Sequence, residues 1–140
     1  MKKQYFLVLL FPLFLINACT EIEKEDAPAF DLTLTDSEIE NGVMSPEILW
    51  KFGRVGSMEL SPDGSTILYT VSNYDLPSEA SRTNIYSIPT EGGDPVQLTS
   101  EGGGSPLWIE DGERIIFTSS GKLLTMNPDG SDRVQVTFIE

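Results

Sequence analysis

The chain has 140 residues, room for one domain of ordinary size. Nine Lys and Arg stand against 22 Asp and Glu, a net charge of −13, which argues against a nucleic-acid partner because every phosphate contact needs a cation. Histidine is absent, so this chain holds no Ser-His-Asp or Cys-His catalytic set and few options for zinc, while a hydrophobic share of 39% is compatible with a folded domain.

Lys2 and Lys3 precede an apolar run from Tyr5 to Ile16 that is interrupted only by Pro12. The run is shorter than the roughly 20 apolar residues a bilayer-spanning helix needs, and with its basic flank it fits the hydrophobic region of a secretory signal peptide. It ends in Ile16-Asn17-Ala18-Cys19, which resembles a bacterial lipobox and implies a leader over residues 1–18 with Cys19 as the site of lipid attachment. Cys19 is the only cysteine, so it has no disulfide partner in the chain, and acylation removes an awkward free thiol. Several acyl chains, at about 0.8 kcal/mol per buried methylene, would hold the protein on a membrane surface without a spanning helix. Loss of the leader leaves seven basic and 22 acidic residues, a charge of −15.

Residues 19–44 read as an acidic, flexible linker. Eight carboxylates precede Asn41-Gly42 with only Lys24 to balance them, and no sustained period appears beyond Phe30, Leu32 and Leu34. A solvated spacer is the plain reading. Lys24-Glu25-Asp26 also resembles, over a short stretch, the acidic surface-export signal of Bacteroidetes lipoproteins. Ser45-Pro46-Glu47 then predicts a short helical lead-in over 45–55, with Ser as N-cap, Pro at the first position, Ile48, Leu49 and Phe52 as its apolar face and Gly53 at its end.

From Gly56 the chain repeats itself. Residues 61–70 align with 109–118, Ile85-Tyr86-Ser87-Ile88 with Leu123-Leu124-Thr125-Met126, and Val96-Gln97-Leu98-Thr99 with Val134-Gln135-Val136-Thr137. The offset falls from 48 to 38 between the blocks, which a longer loop from Asn73 to Arg82 in the first copy accounts for. Each copy predicts four short strands, near 57–60, 66–72, 84–89 and 95–99, then near 105–109, 114–119, 122–127 and 133–138. Asp63-Gly64, Asp111-Gly112 and Asp129-Gly130 supply the turns, the first and third behind a proline. Ile115 and Phe117 point to one face of their strand and Ile116 and Thr118 to the other, as suits a sheet packed between sheets. Four strands in a tandem unit of about 40–45 residues predict an all-β chain of two antiparallel β-propeller blades, 56–100 and 101–140. A small antiparallel sandwich is the alternative.

Leu60-Ser61-Pro62-Asp63-Gly64, Ile85-Tyr86, Gly92-Gly93 and Gln97-Leu98-Thr99 resemble the TolB-type, WD-like propeller repeat, although Glu110 replaces the proline in the second copy. The lead-in from Ser45 to Gly56, with Tyr69 to Asp75, is similar to the start of bacterial dipeptidyl-peptidase-like members of the prolyl oligopeptidase family. That resemblance implies an N-terminal propeller that gates peptide access to an α/β-hydrolase domain with a Ser-Asp-His triad.

No triad position can be carried onto this chain. Gly102-Gly103-Gly104-Ser105-Pro106 lacks the closing glycine of a nucleophile elbow and reads as a flexible link between blades. Asn127 to Asp132 resembles a calcium loop but has Asp132 where glycine belongs and Phe138 where the bidentate Glu belongs. Trp50 and Trp108 read as core residues. The expectations are therefore no catalytic, cofactor or metal site in this chain, and a membrane-lipid contact through Cys19. Its partners would be further blades and a hydrolase domain, with peptides or envelope proteins as ligands. Two blades leave open edges, so the chain reads as a fragment of a lipid-anchored peptidase of the cell envelope. The alternative is a stand-alone propeller lipoprotein that binds envelope proteins.

Overall fold

The structure, a computed structural model, describes residues 30–136. The leader, Cys19 and the first part of the acidic segment lie outside the described residues. Two four-stranded antiparallel meanders make up the body. The first contains β1 (Arg54–Leu60), β2 (Thr66–Asp75), β3 (Ala80–Pro89) and β4 (Val96–Gln97). The second contains β5 (Gly104–Ile109), β6 (Arg114–Ser119), β7 (Lys122–Met126) and β8 (Val134–Gln135). In each sheet the strands pair in chain order, as the repeat predicts.

The sheets meet through one face each. Strand alternation puts Leu68 and Thr70, paired with Ser87 and Ile85, on one side of the first sheet. The rungs Trp108–Ile115–Met126 and Phe117–Leu124 lie on one side of the second. Leu68, Ile85, Leu98, Ile115, Phe117 and Met126 form the buried core between them, with Trp108 and Leu124 packed against it. Trp108 is thus a core-facing residue, as expected.

Three expectations are revised. The loop from Asn73 to Arg82 is instead a continuous ladder: β2 and β3 stay in register to Asp75↔Ala80, and only Leu76 to Glu79 make the turn. Asp75 closes it by accepting from the Ser78 amide at 3.2 Å. The extra ten residues lengthen a hairpin. Second, Gly103 is buried and fixed: a Cβ there would stand 3.0 Å from both Ile85 Cδ1 and Thr99 Oγ1, and its amide donates to the Thr83 carbonyl at 2.7 Å. The run is close-packed at Gly103, where a side chain would crowd Ile85 and Thr99, while Gly102 and Gly104 have ordinary space around them. β6 alternates as expected, with Ile115 and Phe117 buried on one face and Ile116, partly exposed, and Thr118, exposed, on the other, which has no neighbouring sheet among the described residues.

The third concerns the linker. Its last third contains a helix, α1 (Asp36–Asn41), closed by a reciprocal capping box. The Thr35 hydroxyl accepts from the Glu38 amide at 3.3 Å, and the Glu38 carboxylate accepts from the Thr35 amide at 2.8 Å. A second helix, α2 (Pro46–Lys51), starts where Ser45-Pro46 predicts, with the Ile48 amide donating to the Ser45 hydroxyl at 3.3 Å. Its expected apolar face is not buried: Leu49 and Phe52 are exposed and Ile48 is only partly covered. Lys51 joins the helices by donating to Glu38 at 2.9 Å and to the Thr33 carbonyl at 3.0 Å. Residues 30–52 form a strap beside the first blade, and Phe30 lies 5.0 Å from the Arg82 guanidinium.

Candidate functional surface

The turns singled out by sequence gather at one end. Asp63, Asp111, Gly112 and Pro128, with Ser61 and Trp108, line a small cavity of about 210 Å³. Pro62-Asp63-Gly64-Ser65 and Pro128-Asp129-Gly130-Ser131 fold alike although they occupy different blade corners, one between β1 and β2 and the other between β7 and β8. Asp63 accepts from the Ser61 hydroxyl at 2.5 Å and the Ser65 amide at 3.0 Å; Asp129 accepts from the Ser131 hydroxyl at 2.6 Å and amide at 2.9 Å. These bonds favour the charged form. The Ser61 hydroxyl, then Ser65, holds the Asp63 carboxyl at about 2, and Ser131 lowers that of Asp129. Both are turn-building carboxylates.

The second copy loses its proline for a geometric reason. Glu110, at the position of Pro62, has φ +53, which proline, locked near −65°, cannot adopt. The chain there makes a 3₁₀ turn over Glu110–Gly112. The segment compared with a calcium loop is tied up otherwise, with Asp132 accepting from Arg114 at 2.7 Å and Asn127 accepting from the same guanidinium at 3.0 Å. Among the described residues, no group of three or more potential ligands is placed to hold a metal ion. Nor is any helix among them long and apolar enough to cross a membrane.

Two arginines do work that the sequence did not mark. Arg133 reaches from the last turn to donate to the Leu98 carbonyl of the other blade at 2.5 Å, beside Gly130, where a Cβ would stand 3.0 Å from the same oxygen. Arg54 lies 4.1 Å above Trp50 and 4.7 Å above Tyr74, whose rings meet edge-on at 5.2 Å. Trp50 is therefore a surface stacking residue, contrary to the core reading. With Tyr74, Asp31, Glu47 and Asp75 it lines a pocket of about 300 Å³ between strap and hairpin. The stack was missed because it needs the long hairpin that brings Tyr74 opposite α2.

The widest feature is the pair of outer faces. On the first blade, the rungs Val55–Val71, Met58–Tyr69–Tyr86 and Leu60–Ile67–Ile88 all point away from the second blade. Met58 is 70% exposed, Val55 65% and Leu60 56%, while Tyr69 and Tyr86 stack at 5.6 Å. On the second blade the rung Leu107–Ile116–Thr125–Val134 has exposed ends, Leu107 and Val134, and a half-buried middle. Monomeric proteins rarely leave contiguous apolar faces open.

Two meanders stacked face to face, with apolar faces on both outer sides, are two blades of a β-propeller. No protein-family model matches the chain. It is similar to dipeptidyl-peptidase 5 of Porphyromonas endodontalis, 32% identical over 111 residues, which is 75% of this chain and 16% of that protein. Its likeness to dipeptidyl-peptidase 5 of Porphyromonas gingivalis is 35% over 79 residues, 55% of this chain and 12% of that protein. In fold it matches the Pyrococcus horikoshii acylaminoacyl peptidase with a TM-score of 0.56 at 15% identity, over 66% of this chain and 15% of that one. The similarity to the propeller portion of prolyl-oligopeptidase-type dipeptidyl peptidases, read from the lead-in and repeats, is thus matched in sequence and in fold. The chain spans about a sixth and about an eighth of the two curated relatives' lengths.

Proposed function

We propose that this chain is the propeller segment through which a lipid-anchored serine peptidase of dipeptidyl-peptidase type restricts access to its hydrolase domain, so that peptides enter and folded proteins do not. The observation that carries the reading is the coincidence of a peptidase match over 75% of the chain with apolar outer faces on both blades. Such faces call for sheets of like character on either side, and a propeller closes with 4–8 blades. The chemistry then resides in the hydrolase domain, and the role of these residues is to shape the way in.

The anchor is lipid on Cys19 after removal of residues 1–18, which places the protein on the cell envelope facing periplasm or surface. The strap shortens the tether. Ten residues separate Cys19 from Phe30, which lies against Arg82 of the first blade, and at no more than about 3.3–3.6 Å per residue that contact stays within roughly 40 Å of the lipid.

The test is to express the complete reading frame that contains these residues and assay release of dipeptides from an unblocked peptide. Dipeptide release blocked by a serine-directed phosphonate supports the proposal. Tight capture of an envelope protein without hydrolysis favours a stand-alone binding lipoprotein and overturns it. The anchor is tested separately by mass: a Cys19→Ala precursor that still acquires lipid refutes the attachment site.

A further inference from the structure

We infer that Asn41-Gly42, at the end of α1, is a site of spontaneous deamidation that alters the junction between tether and domain. Five asparagines occur in the chain, and only Asn41 precedes glycine. In this reaction the backbone nitrogen of the following residue attacks the side-chain carbonyl carbon, so a small, unhindered successor and a mobile backbone both favour it.

The structure separates Asn41 from the other described asparagines. Asn127 accepts from Arg114 and precedes Pro128, whose nitrogen carries no proton to lose. Asn84 is buried and accepts from the Gly102 amide at 3.1 Å. Asn73 lies inside the β2–β3 ladder, paired with Arg82. Asn41 is exposed, its carboxamide has no hydrogen bond among the described residues, and space around Gly42 is open, with nothing within 4 Å of a Cβ built there.

The attacking group is lightly held. The Gly42 amide makes one long bond, 3.3 Å, to the Ile39 carbonyl. α1 has six residues, none buried, so the turn opens readily to geometries that the helix itself disfavours. The Asp-Gly pairs at 63–64 and 129–130 contrast with it: there serine donors clamp the side chain and a proline precedes the pair.

The step balances. The Gly42 nitrogen loses its proton to base and bonds to Asn41 Cγ, the Cγ–amide nitrogen bond breaks, and ammonia leaves. Water then opens the cyclic imide at either carbonyl, giving aspartate or isoaspartate. Aspartate adds a negative charge at the carbonyl end of α1, where the helix dipole opposes it and Glu38 and Glu40 already lie close. Isoaspartate inserts a methylene into the backbone and breaks the Gly42–Ile39 closure. Either product loosens the helix that Lys51 clasps, in one direction only.

The test is peptide mapping by mass spectrometry of the full chain after incubation at mildly alkaline pH, beside Asn41→Gln and Gly42→Ala variants. The expected result is a gain of one mass unit confined to the peptide containing residues 41–42, isoaspartate in excess of aspartate, lost in Asn41→Gln and slowed severalfold in Gly42→Ala. Asparagine peptides at 73, 84 and 127 should stay unchanged. No gain at residue 41 in the folded chain, when the same chain in denaturant shows it, overturns the inference, as does an equal gain at the other asparagines.

Discussion

Both faces of the first blade carry apolar side chains, more of them on the outer face than on the inner, and the two are opposite in circumstance. Leu68 and Ile85 on the inner face are fully buried against the second blade, whereas Met58, Val55 and Leu60 on the outer face are mostly open to water. A sheet apolar on both sides is built for a stack, and two blades satisfy one interface of such a stack. The contrast teaches that burial in this chain reports which neighbour is present, while the strand pattern reports which neighbours the sequence expects.

The largest effect should fall on the inner face. Phe117→Ala, at a side chain 2% exposed in the seam, is expected to lower unfolding stability by about 3–5 kcal/mol in urea titration. A loss below about 1 kcal/mol would mean that the faces do not meet as described. Gly103→Ala probes the same seam by crowding it, and with Ile85 and Thr99 so close to the new methyl the cost should be about 1–3 kcal/mol.

Asp63 belongs to neither face and should respond to acid alone. Its carboxyl is held at about 2 against an ordinary 3.8. The folded value being the lower, its stabilising contribution is complete above the unfolded value and is lost as pH falls from near 4 through about 2. Asp63→Asn should therefore flatten that part of the acid-unfolding curve, and an NMR titration of the carboxyl should give a midpoint well below 3.8. The smallest effect is expected from Met58→Ala, within about 0.5 kcal/mol in this chain because its 70% exposed side chain has little to lose.

Much of the architecture could be read from sequence, because turn chemistry and alternating apolar residues are local signals. Pro62-Asp63-Gly64 and Asp111-Gly112 marked real corners, and Ser45-Pro46 marked the start of α2. The departures came where tertiary contact decides. Asn73 to Arg82 are polar enough to pass for a loop, yet their backbones complete a ladder whose closing turn is fixed by Asp75. Gly102-Gly103-Gly104 reads as flexible until the opposing blade sets Ile85 and Thr99 against Gly103. For α1 a signal existed, since Thr35-Asp36-Ser37-Glu38 is a capping box that the surrounding acidic run obscured. The Trp50–Arg54–Tyr74 stack had none, as it depends on the hairpin and α2 meeting.

The outer face of the first blade tests the central claim most directly. Oxidative labelling of Met58 should be measured in this 140-residue chain and in the protein made from its complete reading frame. The propeller account predicts a readily oxidised Met58 here and strong protection there, as a further sheet covers Met58, Tyr69 and Tyr86. Equal labelling in both proteins would mean that no blade packs on this face, and would contradict it.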